Sequence, residues 1–381
     1  MNTPSLLKNH PGDRPNIRDL IGLAAEGLVP MFDAQRRLFC SRMVRTDQGL
    51  VRKGISHRYT IMSLLGLHQM KASGLPLPFK IEPAIDALLQ DTRWLRNVGD
   101  LGLLLWLCAL ASPDRLHDFC SRHELSSAVD RYGDGWARRT MELSWFLSGI
   151  SHAVIARPEQ REKMSSVAFA TYSLLKVNQG PHGTFGHQFP NRGLSGLLRG
   201  RIGTFADQVY PIYGLAQFFQ AFQCEEALRI SASCADAICR AQGPLGQWWW
   251  HYDTETGSVS GEYPVYSVHQ HGMAPMALFA LSAAGKRDFD REIYRGLEWI
   301  YGGNELQVDM RDSEAGVVWR CIRPTKPKMY YTKALSLLKI GTNGHTPGYL
   351  STLYECWPYE LGWLLYAFAS RRTEQEHAPP R

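Results

Sequence analysis

The chain has 381 residues, of which 44% are hydrophobic and 20% charged, the composition of a packed globular protein and not of a disordered one. Lys plus Arg number 42 against 36 Asp plus Glu, a formal charge of +6. That excess is small for the length and argues against a dedicated nucleic-acid partner, while it suits a small-molecule or oligosaccharide substrate that carries negative charge. The 11 Trp and 16 Tyr are the more informative surplus, because aromatic rings in a cleft stack on sugars or line a hydrocarbon pocket. The longest apolar run, Leu101–Ala111, is about half of the roughly 20 residues a spanning helix needs, so no transmembrane segment is expected. The opening residues show no basic flank followed by an apolar stretch, so no secretory signal is expected, and the eight cysteines form no CxxC pair. The expectation is a cytoplasmic protein without a bound metal or other cofactor.

Apolar residues recur at three- and four-residue spacing. In chain order this predicts helices near 17–36, 59–72, 81–91, 98–111, 114–130, 138–155, 159–178, 204–223, 225–242, 269–284, 288–303 and 353–371, with a short one at 328–339. Strongly apolar helices rich in small residues alternate with amphipathic ones, so the first kind belongs inside and the second outside. The inner helices start near Tyr59, Asp100, Glu142, Asp207 and His269, separated by 41, 42, 65 and 62 residues. Long loops and the lack of a fixed period disfavour an open solenoid. The expected fold is all-α, an (α/α)6 toroid of six helical hairpins formed by residues 17–371 as one domain, flanked by tails 1–16 and 372–381. A small β-hairpin is expected near 247–266, with strands Trp248–Asp253 and Val259–Val265 around the Thr254–Gly257 turn.

Two connections share the pattern Q-G-P-x-G-x-aromatic, Gln179–Phe185 and Gln242–Trp248, 63 residues apart. Their glycines and proline stop a helix in a tight turn. The pattern resembles the QxxxGxW repeat of squalene–hopene cyclases and protein prenyltransferase β subunits, with Phe in place of Trp in the first copy. The resemblance implies a helical toroid and a structural role for Gln179 and Gln242. The helical order, the aromatic hairpin and the acidic or His residues at inner-helix starts also resemble the six-hairpin toroid superfamily of sugar-active enzymes. Glycoside hydrolases, polysaccharide lyases and sugar 2-epimerases belong to it.

In a toroid the inner-helix starts converge on one funnel, which gathers Arg58 and Tyr59, Asp100, Glu142, Asp207 with Gln208 and Tyr210, His269 with Gln270 and His271, and Glu355. Asp207 and His269 lead as general acid and base, with Glu142 or Glu262 as a second carboxylate and Tyr210 as an alternative base. Paired carboxylates would suit glycoside hydrolysis, whereas a His or Tyr base would suit epimerisation or β-elimination. Trp248, Trp249 and Trp250 are candidate stacking platforms, of which alternation along a strand leaves at least one facing the funnel. Arg192, Arg199, Arg201, Arg320 and Arg323 are candidate ligands for a phosphate or uronate. Substrate contacts are thus expected from Tyr59, Asp100, Gln208, Trp248, Trp249, Trp250, Glu262, Gln270, His271 and Arg320. A terpenoid cyclase or prenyltransferase-like enzyme is the alternative, but no DxDD or DDxxD string occurs; the nearest is Asp309-Met-Arg-Asp312. A toroid that binds a glycan or partner without catalysis is the third reading.

Overall fold

The computed structural model describes residues 15–131, 138–189, 200–325 and 349–371. Its inner helices are His57–Ala72, Val98–Ala111, Thr140–Ala156, Ala206–Phe222, a π-helical turn His269–Met273 continued as Ala274–Gly285, and Pro358–Phe368. Each packs on the next, and the last packs on the first. The outer helices are Ile17–Leu28, Glu82–Gln90, Leu116–His123 with Ala128–Arg131, Arg161–Lys176, Glu225–Arg240 and Asp290–Ile300. Six outer–inner pairs close into an (α/α)6 toroid.

The two rings follow from their sequences. Along Val98–Ala111 nearly every side chain is buried, as an all-apolar helix requires, whereas Glu225–Arg240 buries one stripe at Ala227, Ser231, Cys234, Ala235 and Ile238. Glycine sets the closeness of the inner ring. A Cβ on Gly66 would lie 2.1 Å from the Gly362 carbonyl oxygen, where the first and last inner helices meet, and a Cβ on Gly149 would lie 2.3 Å from that of Gly102. Below the mouth the axis is filled by aromatic rings. Trp106 stacks on His152 and Tyr213 at 5.0 and 4.7 Å and meets Tyr366 edge-on. The Tyr213 hydroxyl bonds to both His152 Nε2 and the Tyr366 hydroxyl at 2.7 Å.

Several boundaries differ from expectation. The first helix ends at Leu28; the buried Met31 precedes a two-residue strand pair, Phe32–Asp33 with Leu38–Phe39, whose Phe39 is also buried. The 114–130 segment breaks at Glu124, which adopts a left-handed φ of 41°. The last helix starts at Pro358, because Leu350–Leu353 and Glu355–Cys356 are strands. The hairpin is His251–Asp253 with Val259–Gly261, joined by Ile202–Thr204; Val265–Tyr266 pairs instead with Cys321–Pro324. The connections also carry strands beyond this one hairpin, notably Arg42–Thr46 and Gly49–Lys53, which pair with each other and with Glu355–Cys356. The 328–339 helix, Arg192, Arg199, residues 1–14 of the expected N-terminal tail and the tail from 372 lie outside the described residues.

Candidate functional site

The first turns of the inner helices lie around a common mouth, which only some of their side chains reach. Ser56 caps the first helix by accepting from the Tyr59 amide, and Asn97 caps the second by accepting from the Asp100 amide at 2.9 Å. These caps fix Arg58 and Tyr59 beside Asp100. The Arg58 guanidinium donates to Asp100 Oδ1 through Nε at 2.8 Å and is ion-paired with the same oxygen through Nη2 at 2.8 Å, and the Arg96 amide donates to Oδ2 at 3.2 Å. Arg58 also lies over the Trp145 ring at 5.2 Å. The next inner helix starts against Gly99, whose missing Cβ makes room for the Glu142 Cα and Cβ. Glu142 is thereby placed next to the Arg58–Asp100 pair. Its own ion partner is Arg139 at 3.3 Å. Burial raises the Glu142 pKa, helped by Asp100 and opposed by Arg139 and Arg58.

Continuing around the mouth, the Thr140 amide donates to the His187 carbonyl at 3.0 Å, so the loop carrying His187 is tied to the start of the Glu142 helix. His187 Nδ1 lies 3.0 Å from Asp207 Oδ2, which also accepts from the Thr204 amide and hydroxyl at 2.9 Å. The His187 side chain is one-third exposed and the Asp207 side chain is 1% exposed. Asp207 thus holds the imidazole from behind, and His187, not the aspartate, presents itself to solvent.

The opposite wall is aromatic and cationic. Trp250 meets Tyr266 at 4.8 Å with the rings tilted by 46°, and it lies parallel to His269 at 5.9 Å. Arg320 lies 3.5 Å over Trp357 and 4.9 Å from Tyr266, and it is ion-paired with the buried Glu360. Burial pushes the Glu360 carboxyl up to about 7, against the pull of Arg320. Tyr59 closes the circle, 5.3 Å from Trp357 and 4.8 Å from Tyr359. A cavity of about 500 Å³ opens here, lined by Arg58, Tyr59, Asp100 and Trp357 among others. Among the described residues no three His, Cys, Asp or Glu side chains gather as metal ligands.

No protein-family model matches this sequence, and no curated protein matches it. Solved structures do resemble it. A possible member of the GH105 family from Salmonella enterica superposes with a TM-score of 0.60 at 11% identity, covering 98% of this chain and 100% of that one. Another possible GH105 member, from Klebsiella pneumoniae, gives 0.59 at 12% identity over 98% and 99% of the two chains. A mutant unsaturated glucuronyl hydrolase from Streptococcus agalactiae, complexed with dGlcA-GalNAc6S, gives 0.60 at 12% identity over 98% and 97%. At such identities the likeness is one of fold, and it agrees with the six-hairpin ring described above.

Against this geometry the sequence candidates divide. Tyr59, Asp100, Glu142, Trp250 and Arg320 meet around the mouth. Several others do not reach it. Trp248 is fully buried, between Phe205 and Gly296, so it packs the core and offers no sugar platform. Trp249 turns against Gly243 and Tyr263. Gln208 and Gln270 are equally buried and perform one task twice. Gln208 Oε1 accepts from the Phe185 amide, and Gln270 Oε1 from the Trp248 amide. Each therefore clamps the last residue of a Q-G-P-x-G-x-aromatic turn. Gln179 and Gln242 clamp the same turns from the other end, donating to Gly183 and Gly246 carbonyls at 2.8 Å.

His269 lies behind Trp250 against Phe205, and burial lowers its pKa to about 3. His271 is fully enclosed and likewise lowered to about 3 by burial. Tyr210 is buried, accepts from Trp363 Nε1 at 3.0 Å, and has its pKa raised well above the ordinary phenol by burial. A neutral, enclosed imidazole and a protonated phenol in the floor are poor bases for a ligand above them. Glu262 is exposed on the hairpin flank. Glu355 accepts from Trp357 Nε1 at 3.1 Å, which makes it a support for the wall. Arg201 braces the hairpin through Asp253 and Glu255, and Arg323 sits half-buried in a strand. His187 was missed: it stands 20 residues before Asp207 on an irregular loop, and no helical period marks it.

Proposed function

We propose that this chain is a carbohydrate-active hydrolase that cleaves a glycosidic bond in an acidic oligosaccharide, with the reacting sugar seated at the mouth of the toroid. The observation that carries this reading is the placement of Glu142 beside the Arg58–Asp100 pair. Two neighbouring carboxyl groups in different environments are what hydrolysis requires. Glu142, inclined to hold its proton, donates it to the departing glycosidic oxygen. Asp100, fixed by Arg58 and the Arg96 amide, accepts a proton from water as the water oxygen bonds to the sugar carbon. The carbon–oxygen bond to the leaving sugar breaks, Asp100 releases to solvent the proton it took from water, and Glu142 regains one from solvent.

The surrounding groups serve binding. Trp250 and Trp357 supply ring faces for the pyranose, and Arg58 and Arg320 favour a ligand with a carboxylate. His187, oriented by Asp207, is placed to hydrogen-bond a sugar hydroxyl at the edge of the mouth. The GH105-like and unsaturated glucuronyl hydrolase neighbours support the substrate class. A polar, charged mouth gives no support to a carbocation enzyme. The reading includes a cytosolic setting, supported by eight unpaired cysteines, six of them buried.

The test is direct. The purified protein is incubated with disaccharides that carry a uronate at the non-reducing end and with neutral disaccharides of the same linkage. New reducing ends are then measured. Release from the acidic set alone is expected; release from neither set would refute the reading.

A further inference from the structure

The cavity at the mouth, which Asp100 lines, does not stop there. It extends to Arg42, Lys53 and Gly54 of the neighbouring hairpin and to His57 and Trp94. A second cavity of about 630 Å³ lies beyond, lined by Asp33, Arg36, Arg52 and others, and it shares Gly54, Ile55 and His57 with the first. Both volumes lie in the ~300–1,000 Å³ range of ligand sites. Alternation along the strand sends Lys53 into one and Arg52 into the other. The ridge between them is low at Gly54, an exposed residue with no side chain and a φ of 64°.

The charges along this path are poorly compensated. Arg42 finds its nearest carboxylate, Glu355, at 3.8 Å. Arg52 donates to the Phe32 carbonyl at 3.1 Å and pairs with no carboxylate among the described residues, and Lys53 makes no ion pair there. Arg36 reaches Asp33 at only 3.5 Å. Arg42 and Lys53 are, moreover, direct cross-strand partners, and like charges so placed destabilise a hairpin. An anion held between them would relieve that repulsion. Flat surfaces accompany the charges: the His57 ring lies parallel to Trp94 at 5.1 Å, and Trp357 lines the same cavity.

We propose that the sugars beyond the reacting one lie in this groove, so that the protein takes an extended acidic oligosaccharide whose carboxylate or sulfate groups are read by Arg42, Lys53 and Arg52. The inference rests on the proposed hydrolase reading, since it continues the same site. Alternating cations and ring faces match a chain of acidic pyranoses, with each anionic group on a guanidinium or ammonium and each sugar face on a ring. The groove meets the mouth at Asp100, so a bound chain leads directly to the reacting bond.

The experiment measures binding of acidic disaccharide, tetrasaccharide and hexasaccharide ladders to the intact protein, one ladder carboxylated and unsulfated and one sulfated. Maltooligosaccharides and polyglutamate serve as controls. Affinity is expected to rise with length in at least one acidic ladder and not with maltooligosaccharides. In Arg42→Gln/Lys53→Gln, and separately in the charge reversal Lys53→Glu, the hexamer-to-dimer affinity ratio should fall by roughly tenfold or more, as for lost hydrogen bonds to charged groups. Which ladder responds distinguishes sulfate from carboxylate recognition. Affinity independent of length, a length dependence untouched by both variants, or equal binding of polyglutamate overturns the inference while dimer binding keeps the hydrolase reading. If no member of either acidic ladder binds, both fall together.

Discussion

Replacing Glu142 by Gln separates its chemical role from a packing role, because the two predict opposite signs. The side chain is 14% exposed, and burial disfavours its charged form. An isosteric neutral amide keeps the contacts over Gly99 and removes that penalty. Stability should therefore stay level or rise by up to about 1 kcal/mol, the scale of a modest desolvation gain offset by the loss of the Arg139 contact. Turnover should fall by about 10²–10⁴, the usual share of a positioned proton donor, which corresponds to roughly 3–5 kcal/mol of barrier. The pH dependence follows from the raised pKa. The folded state holds this proton more tightly than the unfolded chain, so its contribution to stability is full below the unfolded value. It is lost as pH rises through the folded pKa. The Gln variant should lack that slope, and wild-type activity should decline on the alkaline side as Glu142 loses its proton. The assays are reducing-end release from an acidic disaccharide and thermal unfolding across pH. A Glu142→Gln protein that retains more than a third of its activity, or that unfolds well below wild type, would refute the assignment.

Arg58→Gln removes a cation that favours the ionised form of Glu142, so the alkaline limb of the activity profile should move to higher pH; an unmoved limb would place Arg58 outside the electrostatics of the site. Trp248→Ala and Trp250→Ala should part company. The first should cost about 3–5 kcal/mol of stability, as for a large buried side chain, while the second should weaken oligosaccharide binding with a smaller loss of stability in denaturant titration. Asp207→Asn should impair ligand affinity through His187, and His187→Gln should reproduce the defect; if the His187 variant binds normally, the aspartate serves the fold alone.

Much of the ring was legible because its cause is local. The helix Val98–Ala111 has the bounds that apolar spacing predicts, 98–111, and the paired glutamines follow from a turn pattern visible twice in the chain. Outside the expected 247–266 hairpin, what the helical period missed were segments whose apolar residues serve a strand. Cys356 is buried as the expected 353–371 helix would have it, yet its backbone pairs with Met43, far back in the chain. The same holds for the site. Asp100 and Glu142 could be placed from inner-helix starts, whereas the Asp207–His187 arrangement and the cationic hairpin Arg42–Lys53 depend on loops that periodicity does not describe. Trp248 and Trp250 look alike in sequence; only the order of the ring around them decides which is enclosed.

The contact of Gly66 with Gly362 has a consequence for how the chain reaches its folded state. Helices near the two ends of the sequence must meet before the inner ring has all its neighbours, so its most distant contact pays nearly the full loop-closure entropy and is made late. Until then the flank of the first inner helix that packs on Gly362, with Met62, Ser63 and Gly66, lacks its cover, a state in which a growing chain is prone to associate with others. Arg58 and Glu360 stand on the two helices that join at this seam. The binding mouth therefore exists only after synthesis has passed Phe368, and a nascent chain arrested earlier carries most of the ring but no complete site.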